Sequence, residues 1–312
     1  MPDELEIRLL RYFVAVAEEL HFSRAAEKLY VAQQALSRDI QRLEERAGVR
    51  LLDRTTRRVT LTPAGRTLLD RARQLIALHD ATVLELRGEA RSLTVDVVGP
   101  GLTPSLVLAE ARRIAPEVEF FARFHTGGES AAPHLLAERL DVTFGRLTGS
   151  YGELEHRDVR REPLTVLLPI GHPLAELDAV PVAELGPAGV CFRAGDHVTA
   201  GWEHAVLQLL SPLGIEAGGA HPHVLGADEV AQHLRDRNAP ILGLTSQPRV
   251  PGSVVRPVVE PEALYPWAMY WRRGTAHPGL VALQAAVDRL GAADGWLDQS
   301  DGAWLPRPES GD

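Results

Sequence analysis

Cysteine and aromatic residues are scarce in this chain, with one Cys and 5% Phe, Trp and Tyr among 312 residues. The lone Cys191 excludes an internal disulfide and suits a reducing compartment, so the cytoplasm is the expected location. It lies in an apolar stretch and reads as buried and inert. No apolar run approaches the roughly 20 residues that span a bilayer. The N-terminus lacks the basic, apolar, small-residue order of a secretion signal, and no membrane association is expected. The marks of an enzyme are missing as well: there is no Walker-type phosphate loop, no His-Glu-x-x-His and no Gly-x-Ser-x-Gly. Gly99-Pro100-Gly101-Leu102-Thr103-Pro104 lacks the third glycine of a dinucleotide loop. His221 and His223 share a strand face without a third ligand at useful spacing, which favours surface or packing roles over metal. No enzyme activity and no cofactor are expected. The alternative is an unrecognised enzymatic or ligand-independent role for the C-terminal part.

What is present is an ordinary globular composition, 45% hydrophobic and 24% charged, at a length that suits two or three units. The net charge of −9 is unevenly spread. Residues 1–91 hold 16 Lys/Arg against 14 Asp/Glu, and the remainder 17 against 28. Within 33–66 the balance is 8 basic to 4 acidic. Phosphate contact needs clustered positive charge, so any DNA-binding surface is expected to be local and N-terminal.

The first 90 residues read as nearly all helix. Leu10, Phe13, Val14 and Ala17 repeat at helical spacing. Ser23 is a candidate cap for a second helix reaching Leu29. After a break at Tyr30-Val31-Ala32, a third helix runs from Gln33 to Ala47, with Gly48 where a left-handed cap belongs. Leu51-Leu52 and Val59-Thr60-Leu61 flank a polar turn and form a small wing. Thr62-Pro63 opens a long helix as cap and first-turn residue. Along it Leu69, Ala72, Ile76, His79, Val83 and Leu86 step at heptad spacing, which favours pairing with a partner helix over packing within the domain. From Leu93 strands and helices alternate, and the strand-helix-strand-helix-strand run to Gly145 predicts a parallel sheet with helices on its faces. Strands are expected at 93–98, 118–124, 142–145, from Leu164, at 188–192, 221–225, 240–244 and 265–271. The tail from 295 is rich in Gly, Asp and Pro and is expected to be disordered.

The third helix carries the sharpest chemistry. Leu36, Ile40, Leu43 and Ala47 form an apolar stripe, while Gln34, Ser37, Arg38 and Gln41 share another face. Gln pairs bidentately with adenine, Arg with guanine, and Ser with base or phosphate. Gln33 at the helix start and Ser23 are further DNA-binding candidates, as are Arg54, Arg57 and Arg58 on the wing. A solvated polar face is the bland reading, and two tight helices, a short turn and a basic wing together outweigh it. The stretch Phe22-Ser23-Arg24-Ala25-Ala26-Glu27-Lys28-Leu29, then Val31-Ala32-Gln33-Gln34-Ala35-Leu36-Ser37-Arg38 with Ile40 and Leu43-Glu44, resembles the LysR-type transcriptional regulators. So do Gly48-Val49-Arg50-Leu51-Leu52-Asp53-Arg54 and Leu61-Thr62-Pro63-Ala64-Gly65. The resemblance is close over residues 5–66 and looser beyond, at Leu140-Asp141-Val142-Thr143-Phe144 and at Val166-Leu167-Leu168-Pro169 before Gly171-His172-Pro173-Leu174. Gln34 stands where the family commonly has Pro or Ser.

The resemblance implies an α+β multidomain chain: an N-terminal winged helix-turn-helix over 1–62, a linker and dimerisation helix over 63–88, and an effector domain over 89–294. That domain is expected to resemble periplasmic binding proteins, with two α/β subdomains, 93–160 plus 266–294 and 161–265. Leu69, Ala72, Ile76, Val83 and Leu86 are the dimerisation candidates, and a tetramer is implied. Implied partners are double-stranded DNA, a small-molecule effector, expected to be an organic acid, and RNA polymerase. Autoregulation and activation of a neighbouring operon are implied as well. Ligands bind beyond the carboxyl ends of parallel strands. There, Gly101, Thr103, Thr126 and Gly127 offer hydroxyls and open backbone, Arg146 a carboxylate partner, and His197 and Thr199 a second wall.

Overall fold

The computed structural model describes residues 5–54, 59–86, 92–124, 128–149, 151–215 and 222–307. The chain divides into two units, Met1–Ala90 with Ala276–Val281, and Arg91–Thr275 with Ala282–Asp312.

In the first unit α1 (Ile7–Glu19), α2 (Phe22–Lys28) and α3 (Gln33–Ala47) precede a hairpin, β1 (Leu52–Arg54) and β2 (Val59–Leu61), and the long α4 (Pro63–Leu86). The apolar stripes dictate the packing. Leu9, Leu10, Phe13 and Val16 of α1 meet Leu36, Ile40 and Leu43 of α3 in one core. Ser23 is not the cap of α2. His21 takes that place, its Nδ1 accepting from the Arg24 amide at 3.4 Å, and Ser23 falls inside the first turn. Tyr30, at φ 55°, turns the chain into α3, which ends at Gly48 in the left-handed region. The Glu44 carboxylate accepts from the amides of Leu51 and Leu52 at 2.9 and 3.1 Å, so α3 holds the root of the hairpin directly. Thr62 caps α4 by accepting from Gly65 N at 2.9 Å.

The heptad stripe of α4 divides in two. Ala72 is fully buried, and Leu69 and Ile76 pack with it against the core of their own unit. Three of the dimerisation candidates thus make contacts within their own unit, Ala72 wholly and Leu69 and Ile76 in part, because the short α1 needs an apolar partner along its length and this part of α4 supplies it. Val83 is half-buried and Leu86 is 83% exposed, while Leu75 and Leu78 are exposed on this helix as well.

The second unit contains β3 (Leu93–Asp96), α5 (Thr103–Ile114), β4 (Phe120–Arg123), α6 (Gly128–Leu136), β5 (Val142–Gly145), β6 (Leu154–Pro169), β7 (Val180–Pro181), α7 (Ala200–Leu210), α8 (Ala227–Arg237), β8 (Ile241–Leu244), β9 (Ser253–Val259), β10 (Leu264–Arg272) and α9 (Pro278–Asp294). The strand order is β4-β3-β5-β10-β6-β9-β7, with β8 also on β6. Only β3 with β4, β3 with β5 and β7 with β9 run parallel among these pairs. The parallel sheet expected over 93–145 is present in β4-β3-β5, whereas β6 and β10 pair antiparallel with each other along residues 154–163. Beyond Pro163, β6 changes neighbours and pairs with β8 and β9. One strand thus serves two sheets, and it makes two halves of the unit.

The segments expected as strands at 188–192 and 221–225 make only single bridges, Cys191 to Ile241 and Ala194 to Val224. Asn238, not glycine, takes the left-handed cap of α8. The tail does not stay loose through 307. Trp296 is buried, its carbonyl accepts from Arg161 N at 2.7 Å, and Trp304 bridges Ala263. Two indoles supply apolar burial that the Gly/Asp/Pro composition hides. Residues 308–312 of the expected disordered tail lie outside the described residues.

Gly65 marks the tightest point of the first unit. A Cβ there would stand 2.0 Å from the Leu51 carbonyl oxygen, a backbone atom that cannot swing away. Gly65→Ala is expected to lower stability by about 1–3 kcal/mol and to weaken DNA binding through the displaced hairpin. Urea unfolding followed by circular dichroism, with DNA affinity measured alongside, tests this; an unchanged midpoint contradicts the packing.

Candidate nucleic-acid interface and effector cleft

On α3 the side chains of Gln33, Gln34, Arg38 and Gln41 are exposed and Ser37 is half-buried. The apolar stripe holds the opposite side of the helix in the core, which fixes this face outward. Ser23 Oγ donates to Gln33 Oε1 at 2.8 Å, so α2 orients the first glutamine of α3. The N-cap is Ala32, whose side chain accepts nothing. The first amides of α3 therefore remain open to an anion.

The charges around this face are sorted by ion pairing. Arg42 and Arg46 reach Glu6 at 3.8 and 2.8 Å, Arg24 reaches Glu19, and Lys28 reaches Glu18 and Glu19. Arg8 pairs with Asp39 at 3.0 Å. Among the described residues, Arg38 is the cation of α3 that no carboxylate holds. Arg54 ends β1, at the root of the hairpin tip. Arg57 and Arg58 lie outside the described residues. Sequence reasoning passed over Tyr30, whose side chain is 96% exposed at the turn before α3. An aromatic ring left in water beside a polar helix face was the available signal.

In the second unit the two halves meet around buried polar groups. Glu162, on β6, has no solvent exposure. Its carboxylate accepts from Thr103 Oγ1 at 2.8 Å, Trp267 Nε1 at 2.7 Å, Thr245 Oγ1 at 3.0 Å and the Ser246 amide, with the Arg160 guanidinium 3.7 Å away. Thr103 is thereby corrected from a ligand hydroxyl to a structural donor, because a buried carboxylate has first claim on it. Thr199 is likewise engaged, capping α7 by accepting from Trp202 N at 3.1 Å. Gly101 takes φ 76° and faces Pro248 across the junction. Thr126 and Gly127 lie outside the described residues, as does His221. His223 Nε2 lies 2.7 Å from Glu203 Oε1.

Arg146 and His197 come together with aromatic walls. The His197 ring stands edge-on to Trp202 at 4.4 Å, Trp202 lies 5.6 Å from Tyr265, and Tyr265 lies 5.1 Å from Trp267. Gly201, at the start of α7, abuts the Arg146 carbonyl, where a Cβ would come within 2.4 Å. Only glycine lets the two halves close here. The buried side-chain polar atoms without a hydrogen bond of normal geometry among the described residues are Arg146 Nη1, both His197 nitrogens, Tyr265 Oη, Thr165 Oγ1 and Gln247 Oε1. Sequence reasoning missed Tyr265, Thr165 and Gln247, which lie far apart in the chain. Burial also pushes the Cys191 thiol up, consistent with an inert sulfur.

Burial lowers the His197 pKa from 6.5 to about 4, offset in part by the Leu242 backbone, so the ring is neutral at physiological pH. The unfolded chain protonates this imidazole near 6.5, whereas the folded chain refuses the proton until about 4. Stability is therefore full above 6.5 and is lost as pH falls through this window. Between pH 7 and about pH 5 the wild type is expected to lose roughly 2 kcal/mol more than His197→Phe. Urea midpoints at the two pH values test this, and equal losses in both proteins reject it.

Comparison with known proteins gives the same arrangement. Residues 7–66 match the bacterial regulatory helix-turn-helix proteins of the lysR family, and residues 85–229 match the LysR substrate binding domain. The chain is 38% identical over 218 residues to the uncharacterized HTH-type transcriptional regulator YnfL of Escherichia coli, covering 66% of this chain and 71% of that protein. It is 38% identical over 207 residues to the Hca operon transcriptional activator HcaR of Escherichia coli, covering 63% and 67%. Among solved structures, full-length BenM superposes with a TM-score of 0.55 at 27% identity, covering 94% of this chain and 98% of that one. CbnR, a LysR family transcriptional regulator, gives 0.52 at 26%, covering 91% and 100%. With its helix-turn-helix and its substrate-binding domain, this chain belongs to the LysR family of transcription regulators, oligomeric proteins that bind DNA and small-molecule effectors.

Proposed function

We propose that α3 enters a major groove and reads its operator with Gln33, Gln34, Ser37, Arg38 and Gln41, assisted by Ser23 and by Arg54, Arg57 and Arg58 at the wing. The supporting observation is the sorting of charge: the neighbouring bases are neutralised by Glu6, Glu18 and Glu19, and Arg38 is left for DNA. In this reading 1–62 bind DNA, 63–88 pair subunits, and 89–294 bind the effector. With Leu69, Ala72 and Ile76 committed to their own core, the pairing surface is carried by Val83, Leu86, Leu75 and Leu78. The assembly is a dimer of dimers in the cytoplasm that binds DNA upstream of its own gene and engages RNA polymerase at a neighbouring operon.

The effector is a small organic acid. The Arg146 side chain is buried beside α7, where Gly201 abuts its backbone, and an aromatic group follows, Trp202 on that helix with His197 just before it and Tyr265 on β10. This donor set suits one carboxylate on an apolar body better than a polyanion. Ligand binding shifts the balance between two assembly states on DNA because its affinity differs between them.

Fluorescence anisotropy with the DNA upstream of the gene, against random DNA at several salt concentrations, tests the first part. Specific binding of the order of a thousandfold over random DNA is expected. Arg38→Ala is expected to cost about 1–3 kcal/mol on the operator and little on random DNA. Equal affinity for both DNAs rules out this operator assignment. Arg146→Ala is expected to retain operator affinity and to lose its response to carboxylates in the same assay.

A further inference from the structure

The Arg146 guanidinium already has an occupant. Its Nη2 donates to the backbone carbonyl of Arg307, near the C-terminus of the chain. The Arg307 peptide is gripped from the other side by Gln208 on α7, whose Oε1 accepts from Arg307 N at 2.8 Å and whose Nε2 donates to Arg307 O at 3.4 Å. Only backbone atoms of Arg307 take part. Pro306 before it is buried, and the Arg307 residue itself is exposed.

The path to this point is sewn down. Trp296 and Leu297 accept from the Arg161 amide and guanidinium, each at 2.7 Å. The Arg160 guanidinium lies 5.2 Å over the Trp296 ring. Ser300 donates to Glu262, and Trp304 donates to the Glu262 carbonyl at 2.8 Å and accepts from Leu264 N at 3.0 Å. The tail thus runs beside the segments that join the two halves. It ends with one peptide held by Arg146, from the end of β5, and by Gln208, from α7. A chain bonded to both halves at once resists their separation.

The pairing is also incomplete. A peptide carbonyl is neutral and takes one of the two Arg146 terminal nitrogens, and Nη1 is buried without a partner among the described residues. A carboxylate offers two oxygens and a full charge, and satisfies both nitrogens through a bidentate pair. We propose that residues 296–307 form an internal strap whose final carbonyl holds the effector arginine in the unliganded protein, and that a carboxylate effector displaces it. The strap sets the affinity of the site and reports its occupancy at the C-terminus. This rests on the assignment of Arg146 to the effector site.

Hydrogen exchange of the full chain, followed by mass spectrometry of the C-terminal peptide, tests the strap. Wild type, Gln208→Leu and Arg146→Ala are compared with and without sodium acetate, against sodium chloride at equal ionic strength. The Arg307 amide is expected to be protected in wild type and to exchange freely in both variants, with the Trp304 amide protected in all three. Acetate is expected to release the Arg307 amide in wild type and to bind Gln208→Leu about tenfold more tightly, since two neutral hydrogen bonds no longer compete. Equal exchange at Arg307 in all three proteins overturns the strap, as does equal acetate affinity in wild type and Gln208→Leu. Acetate bound by neither, with Arg307 still released in both variants, instead overturns the acid-effector reading and leaves the tail as a clamp between the halves.

Discussion

Glu162 has no contact with water, and its carboxylate has to be satisfied by the protein. The donors come from every part of the second unit: Thr103 at the head of α5 in one half, Thr245 and Ser246 after β8 in the other, and Trp267 on β10 between them. Removing one such donor leaves a buried acceptor unsatisfied, which costs about 1–3 kcal/mol. The halves are therefore registered against one another at the point where β6 exchanges its neighbours. The aromatic wall, Arg146 and His197 inherit their positions from that register. The Arg146 guanidinium meets a backbone carbonyl, that of Arg307, at this junction.

The first unit is organised by a different economy of charge. Its core leaves room for few cations, yet the surface near α3 carries many. Acidic residues of α1 and its approach take up most of them, and a further acid, Glu44, is spent on the hairpin amides. Net charge over residues 1–91 is small, and among the described residues Arg38 is the cation of α3 that these acids leave unpaired. Local shape and ion pairing, more than total charge, distinguish a reading helix from a solvated one.

Much of this was legible in the sequence because it rests on short-range periodicity. The stripe of Leu36, Ile40 and Leu43, the Gly48 cap and the Thr62-Pro63 start each follow from residues within one or two helical turns. The errors share another origin. The first ten residues of β6 are dense with charge, because they pair through backbone groups while their side chains reach Trp271, α9 and the tail, and no alternation announces a strand there. In β9, Pro257 interrupts an otherwise extended run, as proline without an N–H does in any ladder. The α4 stripe has heptad spacing, but spacing names a face and not the surface it meets, and the face was divided between α1 and open solvent.

The amino-acid sequence by itself determined the helices, the winged helix-turn-helix and the family, since helical spacing, caps and turns are encoded by neighbours in the chain. Tertiary structure alone decided which hydroxyls were free. Thr103 and Thr199 look like ligand groups in the chain; in the fold Thr103 donates its proton to Glu162, and Thr199 accepts from the Trp202 amide as the cap of α7. It alone placed the Arg307 carbonyl on the Arg146 guanidinium across 161 positions of sequence. The physical reason is that a buried polar group takes whichever partner folding delivers, and that partner is set by the packing of whole elements rather than by the residues beside it.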